Sequence, residues 1–147
     1  MLPRFEPASG NLPPGVHEAT WDEFVTRYGY NAHRGLLLVG LQAALETLRA
    51  AGCRRAYIDG SFITAKEAPG DFDGCWEVEG VDFDRLDPVL RTFVDRRRAQ
   101  KEKYGGELFP ADWTAAAGGT NFLRFFQRDR ETGQLKGIVA IDLSSLP

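Results

Sequence analysis

The sequence contains little cysteine and little histidine. Only two cysteines, Cys53 and Cys75, occur in 147 residues, and neither belongs to a CxxC pair or has a histidine nearby. This excludes a dense disulfide framework of the kind that stabilises small secreted domains. We expect two buried or half-buried free thiols in a reduced intracellular protein, with a disulfide between them as the alternative. The two histidines, His17 and His33, lack metal-ligand spacing and are interpreted as structural or surface residues.

Long apolar runs are also absent. No run approaches the roughly 20 residues that a helix needs to cross a bilayer. The first residues, MLPRFEPASGNLPPG, do not show a basic segment followed by an apolar one, so they do not resemble a signal peptide. We therefore expect a cytoplasmic protein with no membrane partner.

A large excess of charge of one sign is missing as well. The chain has 18 Lys and Arg against 21 Asp and Glu, for a net charge of -3. This argues against a protein whose whole surface binds nucleic acid, although it leaves a local basic patch open. With 43% hydrophobic and 12% aromatic residues, the chain is long enough to form one globular domain with a sizeable core.

The chain divides into an N-terminal arm and a domain. Residues 1–19 are rich in proline and glycine and show little periodicity, which predicts an extended arm lying on a domain at 20–147. Thr20 and Glu23 have the spacing of a capping box, which predicts a short helix after Thr20. Asn31 is a second N-cap candidate, before a longer helix with apolar residues at helical spacing.

The remaining elements alternate between strands and one helix. Asp87-Pro88 is typical of a helix start and predicts a helix that runs to Gly105. The predicted strands have the sequences RAYID (55–59), FDGCWEV (72–78), ELF (107–109), NFLRFFQ (121–127) and LKGIVAIDL (135–143), the last two forming a hairpin. The order helix, helix, strand, strand, helix, strand, strand, strand predicts an α+β domain with one mixed sheet and helices mainly on one face.

The stretch YIDGSFITAKEAPGDFDGCW (57–76) combines two features that suggest a site. Asp71 and Asp73 are two residues apart at the start of a strand and should project to the same face, where their charges repel unless a cation neutralises them. Mg²⁺ is often held by one or two carboxylates together with substrate phosphates. Gly60-Ser61 follows the preceding strand, where a glycine lets the backbone approach a phosphate and the serine hydroxyl adds a donor.

These residues carry a resemblance to a known family. Asp59-Gly60-Ser61-Phe62 followed by Asp71-Phe72-Asp73 resembles the signature of the polymerase-β-like nucleotidyltransferase superfamily, an hG[GS] turn followed by a Dx[DE] pair. The chain looks most like the small, single-domain members found in prokaryotes. The segments NLPPGVHEATWDEF, DGSFITAKEAPGDFD, GGELFPA and FFQRDRETGQLKGIVAIDL extend the likeness to one family within that group, over most of the chain.

The resemblance implies a nucleotidyltransferase-like mixed sheet and a site built on three carboxylates. It assigns the first two to Asp71 and Asp73 and the third to Glu107, with Asp142 as the second choice. These acids would hold one or two Mg²⁺ ions. Gly60 and Ser61 would contact the phosphates of a nucleoside triphosphate (NTP). Lys66, in the loop between the turn and the acids, is a further candidate for a phosphate contact, with a solvated loop lysine as the alternative.

The resemblance also implies a reaction and a set of partners. An acceptor hydroxyl of a protein or RNA would attack the α-phosphorus, and pyrophosphate would leave. A helix-turn-helix protein in a toxin–antitoxin or defence module is the expected protein partner. The alternative is a domain of the same fold that has lost catalysis and binds a partner. The basic segment Arg96 to Lys103 is interpreted first as a solvated helix face and second as an RNA or partner contact.

Overall fold

The computed structural model describes residues 2–115 and 118–147, in which the chain forms a five-stranded mixed sheet and four α-helices. Met1 of the predicted arm and residues 116–117 of the predicted domain lie outside this part of the chain. The strands are β1 (Gly15–Ala19), β2 (Arg55–Asp59), β3 (Phe72–Trp76), β4 (Gly106–Pro110) and β5 (Gly137–Asp142). The helices are α1 (Trp21–Tyr28), α2 (Ala32–Ala50), α3 (Val94–Tyr104) and α4 (Phe122–Phe125). The prediction of an α+β chain with a mixed sheet is confirmed.

The strand order across the sheet is β1-β5-β2-β3-β4. The two outer pairs, β1 with β5 and β3 with β4, are parallel, and β2 pairs antiparallel with both of its neighbours. The last five residues of the predicted arm are thus an edge strand of the sheet. Their polar and apolar residues alternate too briefly to reveal a strand in the sequence.

Helices α1 and α2 begin where the sequence predicts. The Thr20 side chain accepts a hydrogen bond from the Glu23 amide, and the Glu23 carboxylate accepts one from the Thr20 amide. The Asn31 side chain accepts from the Arg34 amide in the same way. Each cap satisfies amides that the first helical turn leaves without partners.

The two faces of the sheet carry separate hydrophobic clusters. On the first face, α1 and α2 bury Phe24, Leu41 and Leu45 against the sheet residues Ile58 and Val139. The close approach of α2 to α3 requires Gly40, because a Cβ there would lie 1.8 Å from the carbonyl oxygen of Tyr104. The second face is covered by aromatic residues, which with the sheet form the cluster Tyr57, Cys75, Phe109, Phe126 and Ile138. Cys53 and Cys75 are buried free thiols, as predicted.

The predicted strand at 121–127 is wrong. Phe122–Phe125 forms the short helix α4, with the Asn121 side chain accepting a hydrogen bond from the Arg124 amide as its N-cap. Phe122 stacks on Phe109 at 4.1 Å between ring centroids, so the aromatic run packs as a cluster on the second face. Of the predicted hairpin, the described chain retains the isolated bridge between Arg128 and Leu135.

The predicted helix from Asp87 to Gly105 is interrupted. Asp87 caps a short 3₁₀ turn at Pro88–Arg91, and Thr92 then adopts an extended conformation before α3. The first turn of α3 is left-handed, with φ angles of 53°, 55° and 59° at Asp95, Arg96 and Arg97. Each non-glycine residue in this conformation costs about 1–2 kcal/mol. The segment is therefore a strained turn that the surrounding contacts must hold.

Candidate functional site

Three carboxylates lie side by side across three neighbouring strands. Asp59 at the end of β2 is the register partner of Asp73 on β3, and Asp73 is the register partner of Glu107 on β4. We call Asp59, Asp73 and Glu107 the acid row. They share the second face of the sheet, because the residues beside them on each strand point into the core on the first face. Asp71 lies just before β3 and adds a fourth carboxylate.

Asp73, at the centre of the acid row, loses its proton less readily than a free aspartate. The pKa of Asp73 is raised to about 7, first by burial and then by the negative charges of Asp71 and Glu107. Asp59 acts in the same direction, and Glu107 also makes a side-chain hydrogen bond with Asp73. Burial and Glu107 raise the pKa of Asp71 as well, although Lys101 and Lys66 oppose the shift. The site therefore concentrates negative charge that a cation or a proton would neutralise.

The two outer carboxylates of the acid row have cationic partners. Lys136 Nζ lies 3.0 Å from Asp59 Oδ1, and both side chains are largely buried. Arg97 Nε donates to Glu107 Oε2 at 2.8 Å, and Lys101 Nζ lies 3.7 Å from the same oxygen. Burial still raises the pKa of Asp59 against the influence of Lys136. Asp73 is left as the central acid without an ion pair within the described chain.

Gly60 brings the backbone against Asp73. It follows β2 with φ 83°, a conformation that favours glycine, and a Cβ at this position would lie 2.7 Å from Asp73 Oδ2. The next residue, Ser61, begins a 3₁₀ turn that ends at Ile63, and its carbonyl accepts the Thr64 hydroxyl at 2.7 Å. The turn and the second aspartate of the sequence motif are thus neighbours in the structure.

Arg34 holds the segment that follows this turn. Its guanidinium group is fully buried and faces backbone carbonyls instead of a carboxylate. It donates hydrogen bonds to the carbonyl oxygens of four residues, Tyr28, Phe62, Thr64 and Lys66. Sequence reasoning assigned Arg34 no firm role, since a single arginine at the start of an apolar helix does not reveal which carbonyls it will meet.

The other predicted site residues lie at different distances from the acid row. The Lys66 side chain is exposed, and its charge opposes the raised pKa of Asp71, which shows that it lies close enough to influence that carboxylate. Asp142 pairs with Arg55, whereas Asp59 is at the other end of β2, about 13 Å away along the strand. The Asp142 side chain caps the turn at Ser144. The structure thus brings Glu107, and not Asp142, beside Asp73.

Sequence reasoning missed several cations around the acids. Arg128, Arg130 and Lys136 line a cavity of about 150 Å³ together with Asp59, Gly60 and Asp73. No motif in the sequence marks these residues as part of a site, because they come from a polar loop far along the chain. Their clustering with Asp59 depends on the pairing of β5 with β2, which local sequence does not specify.

A larger cavity, about 600 Å³, lies at the opposite end of the sheet. Both of its arginines already have carboxylate partners, since Arg55 pairs with Glu18 at 2.8 Å and Arg54 lies 3.8 Å from Glu77. These ion pairs leave neither arginine available to bind an anionic ligand. The acid row, with its unbalanced central carboxylate, is the stronger candidate site.

The donor set of the site suits a hard divalent cation, because carboxylate oxygens are the ligands that Mg²⁺ prefers. The four acids do not form a ready cage, however. Within residues 2–115 and 118–147, no group of three or more His, Cys, Asp or Glu side chains converges on a point where a metal ion would sit. Asp59 and Glu107 are instead engaged in ion pairs with Lys136 and Arg97.

The fold and the site define an α+β domain that carries a row of carboxylates across three strands. The chain belongs to a protein family described as a family of unknown function (DUF6932), whose pattern matches residues 3–142. Comparison with curated proteins and with solved structures found no match. None of the helices in the described residues is long and apolar enough to span a membrane.

Proposed function

We propose that the protein is a divalent-cation-dependent nucleotidyltransferase that transfers a nucleoside monophosphate from an NTP to a hydroxyl group of a protein or RNA. The observation that carries the proposal is the position of Asp73, between Asp59 and Glu107 and against the Gly60 turn. A glycine turn beside clustered carboxylates provides both halves of a site for a metal-bound polyphosphate.

By donor type the residues present suit one or two Mg²⁺ ions, but the carboxylates of the described chain would have to move to converge on a cation. Asp71 and Asp73 would hold the cation, and Glu107 would join them once it leaves its ion pair with Arg97. When bound, the metal would neutralise the phosphates and the charge that develops during transfer. The raised pKa of Asp73 implies that cation binding displaces a proton near neutral pH, because a carboxylate must be deprotonated to act as a ligand.

The remaining groups would bind and orient the substrate. Gly60 lets the backbone of the turn lie directly against Asp73, since it has no side chain, and Ser61 follows it with a hydroxyl group. Lys66 and Lys101 surround the acids with positive charge, which attracts an anionic substrate. Glu107 would accept the proton of the acceptor hydroxyl as it attacks the α-phosphorus. Pyrophosphate then leaves, and positioning provides most of the rate.

A second function is favoured by one specific observation. The outer acids are already neutralised, Asp59 by Lys136 and Glu107 by Arg97. A site in which the protein's own lysine and arginine side chains take the place of metal ions would suit a non-catalytic module that binds a partner. A helix-turn-helix protein of a toxin–antitoxin or defence module is the proposed partner in either case, and the cytoplasm is the proposed location.

The first experiment measures nucleotide binding by isothermal titration calorimetry. Each NTP is titrated into the wild-type protein with Mg²⁺ and with EDTA, beside an Asp71→Asn/Asp73→Asn variant. Asp142→Asn is the matched control, because Asp142 lies at the far end of the sheet. We expect binding that needs Mg²⁺, is lost in the double variant and is unchanged in the control.

A second assay then separates binding from catalysis. NTP labelled at the α-phosphate is incubated with the protein and with candidate acceptor proteins or RNA. Label on the acceptor that depends on Glu107, tested as Glu107→Gln, would support the transferase. Metal-dependent binding without transfer would favour the partner-binding module, and absence of NTP binding under all conditions would reject the enzyme.

A further inference from the structure

The loop between α4 and β5 is held in one conformation by hydrogen bonds within it. The Lys136 amide donates to the Gln127 carbonyl at 2.9 Å, and the Asp129 amide donates to Gln134 at 2.8 Å. The Asp129 carboxylate accepts hydrogen bonds from the amides of Glu131 and Thr132, which closes the tip of the loop. These bonds fix the directions in which the side chains along the loop project.

Two arginines of this loop line the cavity beside Asp73 without a carboxylate partner. Arg128 donates one hydrogen bond to the carbonyl oxygen of Gly133, which leaves its other donors free. The Arg130 guanidinium lies over the Phe125 ring at 5.1 Å from the centroid. In the described chain neither arginine forms an ion pair, since no Asp or Glu oxygen lies within 4.0 Å of it. The third cation of the cavity, Lys136, is paired with Asp59.

The cavity's size and charge together indicate a ligand class. Its volume of about 150 Å³ is below the roughly 300–1,000 Å³ typical of pockets for drug-sized ligands, so it suits phosphate groups better than a whole nucleotide. Guanidinium groups bind phosphate and carboxylate oxygens through two parallel hydrogen bonds, so two arginines without carboxylate partners at a small cavity favour an oxyanion over an apolar ligand. Phosphate is the oxyanion that the proposed function supplies.

We infer that Arg128 and Arg130 bind the terminal phosphates of a polyphosphate chain. The inference rests on the proposed function, which supplies the NTP, and adds that these loop arginines hold the end of the triphosphate that leaves. They would orient the chain so that its α-phosphorus lies towards Asp73, and they would stabilise the leaving pyrophosphate. Phe125 would keep the Arg130 side chain extended towards the cavity through the cation–π contact.

Inorganic tripolyphosphate is the probe, because it contains the proposed ligand groups without a nucleoside. Its affinity is measured by calorimetry in EDTA for the wild-type protein, Arg128→Gln, Arg130→Gln and the control Arg124→Gln. Arg124 is exposed on α4 and lies outside the cavity. We expect each cavity variant to weaken binding by about tenfold or more, which is the loss of one charge-assisted contact, and the control to retain wild-type affinity.

The Asp73→Asn variant should change tripolyphosphate affinity in the opposite direction to the two arginine variants. Because Asp73 faces the same cavity, removal of its charge should tighten metal-free tripolyphosphate binding while it abolishes Mg²⁺-dependent NTP binding. Thermal denaturation of every variant confirms that it is folded.

The outcomes separate this inference from the proposed function. If tripolyphosphate binding depends on Arg128 and Arg130 but NTP binding shows no need for metal or Asp73, the inference stands and the transferase is rejected. If NTP binding needs metal and Asp73 while the two arginine variants bind both ligands like the wild type, the inference is overturned. Absence of tripolyphosphate binding to the wild-type protein also overturns it.

Discussion

The Nε atom of Arg97 lies 2.8 Å from Oε2 of Glu107, the register partner of Asp73 on the neighbouring strand. Arg97 reaches this position from a left-handed turn, with φ 59°. The guanidinium group therefore neutralises the same carboxylate that the proposed metal site needs.

Arg97 should compete with a divalent cation. We expect Arg97→Gln to bind Mn²⁺ several-fold more tightly than the wild type, because Glu107 is then free to act as a ligand. Mn²⁺ binding is followed by electron paramagnetic resonance. The matched control is Arg98→Gln, whose ion pair with Glu102 at 2.9 Å is exposed on the helix surface. Equal or weaker Mn²⁺ binding by Arg97→Gln would show that Glu107 is not a ligand.

The stability of the protein should fall as pH rises towards 7. The pKa of Asp73 is raised to about 7 in the folded protein, whereas an unfolded aspartate titrates near 3.9. Between these values the folded chain binds more protons than the unfolded one, so the free energy of unfolding decreases as pH increases through this window.

The Asp73→Asn variant isolates this effect. The variant should be more stable than the wild type at about pH 8, and the difference should be smallest below about pH 3, where Asp73 is protonated in both states. Urea denaturation across the window measures the difference, with the exposed Asp112→Asn as the control. A constant difference at every pH would contradict the raised pKa.

In the left-handed turn a glycine variant should be more stable than an alanine variant, whereas in a right-handed helix the order is the opposite. Arg96 has φ 55°, so Arg96→Gly should be more stable than Arg96→Ala by about 1 kcal/mol. At Arg98, within the right-handed part of α3, the order should reverse, with glycine about 1 kcal/mol worse than alanine. Chemical denaturation of the four variants tests both signs. The same order at both positions would mean that the turn is not left-handed.

Arg34 should be required for stability far more than a surface arginine. We expect Arg34→Lys to lower the free energy of unfolding by more than about 3 kcal/mol, since lysine cannot supply all the donors to the four carbonyls. Hydrogen exchange should also become faster in residues 60–66. Arg49→Lys is the control, because Arg49 donates one bond, to the Leu146 carbonyl. A small effect at Arg34 would show that the buried charge is tolerated without its carbonyl partners.

The sequence predicts the features that depend on local chemistry. The side chains of Thr20 and Asn31 act on amides two or three residues away, so the starts of α1 and α2 can be recognised without knowledge of the rest of the chain. The spacing of Asp71 and Asp73 and the glycine after β2 also lie within one short stretch. Their proximity in the structure follows from the antiparallel pairing of β2 with β3.

The features that the sequence does not predict depend on distant contacts. The strand-like run at 121–127 becomes helical because its phenylalanines pack on Phe109, which the local pattern cannot reveal. The left-handed turn before Arg97 has no glycine to mark it. Lys136 meets Asp59 because β5 lies beside β2, although the two residues are far apart in the chain.

The arrangement of the acid row has a consequence for folding. Asp73 meets Asp59 when β2 and β3 form their antiparallel pair, but it meets Glu107 after the crossover through α3 brings β4 alongside. The docking of β4 therefore adds the repulsion of Glu107 to that of Asp71 and Asp59, and it should be accompanied by proton uptake near neutral pH. The complete acid row and the proton that accompanies it thus depend on the same strand, and a chain with β4 undocked would lack the complete row.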